Sequence, residues 1–343
     1  MTNMELTHKQ TKRFKDTPLS VLDLAPITQG SNASETFKRS LDLAQKADEW
    51  GFNRYWLAEH HNMPGIGSSA TSIIINHIAQ GTKHIRVGSG GIMLPNHAPL
   101  MIAEQFGTLD ALHPGRIDLG LGRAPGSDQL TARALRRTLF SNGDDFPDLV
   151  EELEAYMSED AATGVKAYPG VGQDVPIWLL GSSGFSARLA AQRGLPFSFA
   201  SHFAPDYMHQ AIDLYRSRFE PSETLSKPHI MLGVSLVAAD TDEEAEYLST
   251  SRKQQMLDLM RGKPGQFKPP VKNLSDHYAP GEIAALERNR GASSYMTGSQ
   301  DTIKQKLADF IDETKADEVI ISSDAFDHDA RVRSHEIVAE LLS

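Results

Sequence analysis

Short apolar segments alternate with longer amphipathic segments along most of this chain. The apolar segments have the length and the continuous hydrophobic character of buried strands. We predict eight such strands, at residues 19–25, 54–58, 84–91, 117–121, 176–180, 195–200, 229–238 and 318–322. Eight strand–helix units of about 40 residues each favour an α/β fold built as a single (β/α)8 TIM barrel.

The domain organisation follows from the same pattern. No proline- and serine-rich linker divides the 343 residues, so we expect one barrel domain over 19–343, preceded by a polar lead-in of residues 1–18. The pattern weakens over 261–291, where proline, glycine and basic residues cluster. A long segment without a pattern inside a compact enzyme is typical of a lid or a disordered loop, so we predict a mobile lid around 261–291.

Capping residues mark the starts of the first two predicted helices. Asn32 precedes Glu35 by three residues, as in a capping box, and Gly51 is suited to end that helix in a left-handed conformation. We expect Ser68 or Ser69 to cap the next helix with its hydroxyl group.

Composition excludes several classes of site and partner. The chain has no cysteine, which rules out disulfides, thiolate catalysis, cysteine–zinc sites and iron–sulfur clusters, and which fits a cytoplasmic protein. Its 34 basic and 45 acidic residues give a net charge of −11, which disfavours nucleic acid or an anionic membrane as partner. We expect no secretory signal and no membrane span, because no apolar run approaches roughly 20 residues.

The strand at 54–58 runs directly into Glu59, His60 and His61. Sites in parallel α/β folds form at the carboxyl ends of strands, so this is the first candidate for chemistry. One of the histidines could transfer protons, since the imidazole titrates near neutral pH. The alternative is that both histidines are structural and lie under a loop. Neighbouring strand residues point to opposite faces, and the zinc-protease spacing is absent, so we predict no metal site.

Glycine and serine clusters lie at the ends of three other predicted strands. The cluster at 88–91 allows close approach of a flat or anionic ligand, although a tight turn explains it better on its own. The cluster at 120–126 resembles a dinucleotide fingerprint only loosely, but its Arg123 is suited to hold a phosphate. The cluster at 181–186 opens a helix, where hydroxyls and free amides either bind an anion or cap the helix.

Four segments, in their order along the chain, carry a resemblance to a known family. They are WGFNRYWLAEHHNMPGIGSSA, HIRVGSGGIMLPNHAPLMIAEQFGTLDALHPGRIDLGLGRAPG, PIWLLGSSGFSARLAAQRGLPFSFASHF and TGSQDTIKQKLADFIDETKADEVIIS. Together they resemble the bacterial luciferase-like flavin monooxygenases, and the likeness covers nearly everything from residue 19 to the end. The family's (β/α)8 barrel agrees with the strand count.

The resemblance implies a reaction and its partners. Members of the family use reduced FMN as a cosubstrate, often delivered by a separate flavin reductase, together with dioxygen. By resemblance, this chain is a homodimeric monooxygenase that oxidises a small, largely apolar organic substrate through a flavin C4a-peroxide. The alternatives are an oxidoreductase that transfers hydride with coenzyme F420, and a flavin-binding protein without catalysis.

The resemblance also assigns site residues. The first histidine, His60, would be the catalytic acid/base next to the flavin. Gly90 and Gly91 match the family's non-prolyl cis peptide against the isoalloxazine ring, and Gly122 replaces a reactive cysteine of luciferase. The other cofactor-binding residues that the resemblance implies, several of them at the phosphate, are Glu59, Arg123, Ser182, Ser183 and Ser186.

Overall fold

The computed structural model describes residues 6–123, 129–135, 144–160, 164–290 and 293–343. Its strands are β1 (Arg13–Phe14), β2 (Thr17–Asp23), β3 (Arg54–Leu57), β4 (Arg86–Ser89), β5 (Ile92–Met93), β6 (Ile117–Gly122), β7 (Ile177–Gly181), β8 (Phe197–Phe199), β9 (Ile230–Ala238), β10 (Tyr295–Gly298) and β11 (Glu318–Ser322). Its α-helices are α1 (Ala33–Trp50), α2 (Thr71–Gly81), α3 (Pro99–Leu112), α4 (Gln129–Ala134), α5 (Phe146–Met157), α6 (Gly184–Arg193), α7 (Met208–Ser217), α8 (Asp242–Met260), α9 (Pro280–Arg290), α10 (Gln300–Thr314) and α11 (His328–Ala339).

Eight parallel strands close into a barrel, which confirms the predicted fold class. The spatial order is β2, β3, β4, β6, β7, β8, β9 and β11, and β11 pairs with β2 to complete the ring. Each of the eight predicted strands corresponds to one strand of this ring. Three short strands were not predicted: β1 pairs antiparallel with β2, while β5 and β10 extend the pairing of β6 and β9. Among the described residues, no helix is long and apolar enough to cross a membrane.

Of the two predicted helix caps, the one at the start of α1 is confirmed and the one at the start of α2 is not. The side chain of Asn32 accepts a hydrogen bond from the amide of Glu35 at 3.1 Å, and Gly51 ends α1 with φ +89°. The prediction for α2 is wrong, because its first flanking residue is Ala70, without a side-chain cap. The hydroxyl of Ser68 instead donates to the carbonyl of Ala58, so it ties the loop to the end of β3.

The segment 261–291 contains a helix, α9, that the sequence pattern did not predict. The reason is that α9 has few apolar positions and hence no clear amphipathic face. Phe267 is buried and its backbone pairs with Ile27 and Gln29 in the loop after β2. The segment is thereby anchored beside the mouth of the barrel, and its mobility stays a prediction.

Ion pairs fill the barrel interior near the amino ends of its strands. Arg54, with no exposed side-chain surface, lies 2.7 Å from both Asp118 and Glu318, and Arg86 lies 2.7 Å from Asp118. Burial alone would raise the pKa of Glu318, but the charges of Arg54 and His229 and their hydrogen bonds together outweigh it and lower that pKa to about 2. The indole of Trp56 donates to Asp118 at 3.1 Å and closes this network off from the opposite end of the barrel.

Candidate active site

A cavity of about 370 Å³ lies at the carboxyl ends of the barrel strands. This volume falls in the range of roughly 300–1,000 Å³ that is usual for small-molecule sites. Apolar side chains from the barrel interior line its floor, among them Leu22, Trp56, Leu180 and Ile320. Polar residues stand at its rim, where each barrel strand passes into the following loop. The cavity therefore combines a dry floor with a polar rim.

Seven of the eight predicted site residues come together around this cavity. They belong to the ends of β3, β4, β6 and β7 and to the start of α6. They are His60, Gly90, Gly91, Arg123, Ser182, Ser183 and Ser186. The eighth, Glu59, does not line the cavity, since its carboxylate turns to the other side of the backbone.

Glu59 is the centre of a separate hydrogen-bond cluster. Its Oε1 lies 2.7 Å from Nε2 of His61 and 2.9 Å from Nε2 of His97, and its Oε2 accepts the amide of Met93 at 3.0 Å. Burial alone would raise the pKa of Glu59, but these partners lower it, so the carboxylate is ionised. The three side chains are close enough to hold a metal ion, yet their distances are those of hydrogen bonds.

His60 faces the cavity while its neighbours do not. Its Nδ1 is buried and has no hydrogen-bond partner among the described residues. Burial lowers the pKa of His60, against the charge of Glu59 and in the same direction as the charge of Arg252. The imidazole is therefore neutral near pH 7, and the residue lines the cavity.

The Gly90–Gly91 peptide bond is cis, as the resemblance implied. Both residues line the cavity, and neither has room for a side chain. A Cβ on Gly91 would lie 2.7 Å from the carbonyl oxygen of Gly120, and one on Gly90 would lie 2.9 Å from Leu22. The wall here is bare backbone, which suits a flat ring system.

A candidate anion site lies between β6 and α6. The guanidinium of Arg123 stacks 4.2 Å from the ring of Phe185. Ser183 precedes α6 in an extended conformation, and its hydroxyl does not cap the helix. The first amides of α6 are consequently free of a side-chain cap, and a phosphate fits this combination of helix N-terminus and cation. Gly126, the third glycine of the loose fingerprint, lies outside the described residues.

Three residues near the cavity were missed from the sequence. His97 belongs to the Glu59 cluster, and no spacing rule indicates it. His202 follows β8, so the rule that sites form at strand ends was sufficient to find it. Burial and the charge of Arg252 lower the pKa of His202 to about 4. Arg252 lies within α8, where its charge has no sequence signal that separates it from a surface arginine.

Sequence comparisons identify relatives along nearly the whole chain. The family model for luciferase-like monooxygenases matches residues 17–318. The uncharacterised protein YvbT of Bacillus subtilis is 56% identical over 95% of this chain and 97% of its own length. A luciferase-like monooxygenase of Escherichia coli K12 is 49% identical, with the same two coverages. The N-acetyl-S-alkylcysteine monooxygenase of B. subtilis is 36% identical over 71% of this chain and 75% of its own.

Solved structures share the fold. Apo-MsnO8 superposes with a TM-score of 0.83 and 32% identity, covering 95% of this chain and 97% of that one. A second structure is the oxygenating constituent of 3,6-diketocamphane monooxygenase from Pseudomonas putida in complex with FMN. It superposes with a TM-score of 0.70 and 17% identity, covering 94% of this chain and 97% of that one. An F420-dependent secondary alcohol dehydrogenase also superposes with a TM-score of 0.70. Its identity is 14%, and the match covers 95% of this chain and 98% of that one. The latter two establish only the fold, and the same barrel holds either cofactor.

The family model covers most of the chain, and the two relatives of highest identity described here match it over nearly their full lengths. The resemblance seen in the sequence is thereby confirmed. The chain belongs to the luciferase-like monooxygenase family and is an oxidoreductase.

Proposed function

We propose that this protein is a monooxygenase that uses reduced FMN and dioxygen to oxidise a small organic substrate. The observation that carries the proposal is one cavity whose wall offers a guanidinium beside uncapped helix amides, a glycine backbone without side chains and a neutral imidazole. These three features correspond to the phosphate of FMN, its ring system and a proton-transfer group. Membership of the luciferase-like monooxygenase family supports the oxygen chemistry of this proposal.

Each group has a defined task in this proposal. Arg123, Ser182, Ser183, Ser186 and the amides of α6 hold the phosphate, and the Gly90–Gly91 backbone supports the ring. When bound, reduced FMN supplies two electrons, so that one oxygen atom enters the substrate and the other leaves as water. His60 holds or releases a proton at a ring nitrogen beside the reacting centre. The apolar floor excludes water that would compete with the substrate.

In this proposal Glu59 positions neighbouring residues and does not contact the cofactor, although the resemblance had implied that it would. It bonds His61 and the amide of Met93, which follows the Gly90–Gly91 turn, and so fixes the backbone on both sides of His60. We also propose a homodimer, a separate flavin reductase and a cytoplasmic location. These three proposals rest on the family resemblance and on the composition.

An anaerobic binding titration followed by oxygen tests the proposal. We expect reduced FMN to bind more tightly than coenzyme F420, and bound reduced FMN with ¹⁸O-labelled dioxygen to transfer the label into an organic substrate. Arg123→Met serves as the matched control, because it should weaken the binding of FMN while leaving the fold intact. Preference for F420 with oxygen-independent turnover would contradict the proposal and indicate hydride transfer instead. Failure to bind either cofactor would also contradict it.

A further inference from the structure

We infer that Arg252 is a second anion-binding group in the cavity, and that it binds an oxyanion of the substrate, most simply a carboxylate. The inference rests on the proposed function and specifies its substrate class. The substrate would thus be an organic acid with an apolar remainder, which narrows the small, largely apolar molecule that the resemblance implied.

The hydrogen bonds of Arg252 leave one edge of its guanidinium free. Its Nη1 donates to Oε1 of Gln255 at 2.7 Å and lies 3.2 Å from Oδ2 of Asp324. Within the described chain, its Nε and Nη2 have no partner, and the side chain lines the cavity. Nε and Nη2 form the edge that binds a carboxylate through two parallel hydrogen bonds. Asp324 and Gln255 therefore hold the guanidinium in place without using this edge.

The burial of Arg252 argues against a purely structural ion pair. Only 15% of its side-chain surface is exposed, and the side chain lines the cavity. A guanidinium has five N–H donors, and a buried one is stable when they are paired. A structural arginine of this chain shows the contrast, since Arg54 uses Nε, Nη1 and Nη2 on protein acceptors. The free donors of Arg252 are left for a ligand.

Arg252 is separate from the predicted phosphate site. Arg123 and Ser183 follow β6 and β7, whereas Arg252 belongs to α8, which follows β9. In the barrel β8 lies between β7 and β9, so the two arginines approach the cavity from different sectors. An anionic cofactor at Arg123 therefore leaves Arg252 available to a second anion.

The surroundings of Arg252 suit an acid with an apolar chain. Met256 and Leu259, one and two helical turns further along α8, line the same side of the cavity. His60 and His202 lie close enough for Arg252 to lower the pKa of each. Since His60 lines the same cavity, an acid held at Arg252 would share this cavity with its imidazole. The name of the N-acetyl-S-alkylcysteine monooxygenase describes a substrate of this type, an apolar thioether that carries a carboxylate.

Calorimetric binding of matched acids and amides tests the inference without requiring turnover. The probes are N-acetyl-S-benzylcysteine, hexanoate and benzoate, each compared with its primary amide. We expect at least one acid to bind the wild-type protein about 10- to 100-fold more tightly than its amide, because hydrogen bonds to charged groups contribute about that much. Equal affinity of acid and amide in all three pairs, including no detectable binding, would overturn the inference.

Two variants locate the binding group. Arg252→Met should reduce the acid preference to within about twofold, and Arg252→Lys should retain part of it, since an ammonium keeps the charge but not the planar edge. Arg123→Met should keep the preference while it weakens FMN binding. Preference that survives in Arg252→Met, or that disappears only in Arg123→Met, would overturn the inference. Acid binding without FMN binding would contradict the proposed function alone.

Discussion

The two ends of the barrel bury charged groups in opposite ways. At the amino ends of the strands, Arg54 donates to Asp118, Glu318 and the carbonyl of Leu6. At the carboxyl ends, the Nδ1 atoms of His60 and His202 have no partner among the described residues. At the first end, each guanidinium nitrogen of the buried Arg54 has an acceptor, whereas at the second end these two buried imidazole nitrogens have none.

The difference shows that burial of charge does not by itself indicate a functional site. A buried charged side chain whose hydrogen-bond donors are all paired is part of the scaffold, and breaking its pairs destabilises the fold. A buried polar atom without a partner is unfavourable in the free protein, and a bound ligand can remove that penalty. The carboxyl end is therefore the end at which we expect binding and chemistry.

The largest expected effect is on the free energy of unfolding, and it should come from a buried arginine of the scaffold. Arg54→Met leaves the buried carboxylate of Glu318 without its main partner, so we expect the free energy of unfolding to fall by about 3–5 kcal/mol. Urea unfolding at pH 7 measures this change. The control is Arg333→Met, because Arg333 forms ion pairs on the surface with Asp240, Glu336 and Glu340 and should contribute less than about 1 kcal/mol. Equal losses in the two variants would contradict the comparison.

A smaller effect should appear in binding and not in stability. Arg123→Met removes the cation beside the N-terminus of α6, so we expect the Kd for FMN to rise about 10- to 100-fold. The midpoint of thermal unfolding should shift by no more than about 2 °C in the absence of FMN, because Arg123 lies at the rim of the cavity. A loss of stability as large as that of Arg54→Met would place Arg123 in the scaffold.

His335 offers a test of the comparison outside the cavity. It is fully buried in α11, its Nε2 has no partner within the described structure, and burial lowers its pKa to about 4. The unfolded chain takes up a proton near pH 6.5, so the stability that neutral His335 provides is complete above that pH and is lost as the pH falls toward 4.

We therefore expect His335 to account for about 2 kcal/mol of lost stability between pH 7 and pH 5. Unfolding of wild type and His335→Gln at both pH values isolates this contribution, and the variant should show the smaller loss. His77→Gln, a change at an exposed histidine, is the control and should behave as wild type. An identical pH dependence in His335→Gln and wild type would contradict the assignment.

The sequence predicted more of the fold than of the site. Eight buried strands were recognisable because each is a continuous apolar run, whereas β10 and α9 lack such a pattern. The wall of the cavity at His60, Gly90 and Arg123 was also predictable, since these residues follow strands. Arg252 was not predictable, because its free guanidinium edge depends on where Gln255 and Asp324 lie in three dimensions.

The kinetics of His60→Gln test the central claim most directly. The measurement is the rate of oxygen transfer to the organic acid that wild-type protein oxygenates fastest, with reduced FMN saturating. We predict a loss of about 10²- to 10⁴-fold with unchanged FMN affinity and unfolding midpoint, because general acid–base catalysis contributes that much. His61→Gln, which alters the histidine turned toward Glu59, should lose much less. Turnover of His60→Gln within threefold of wild type would contradict the account.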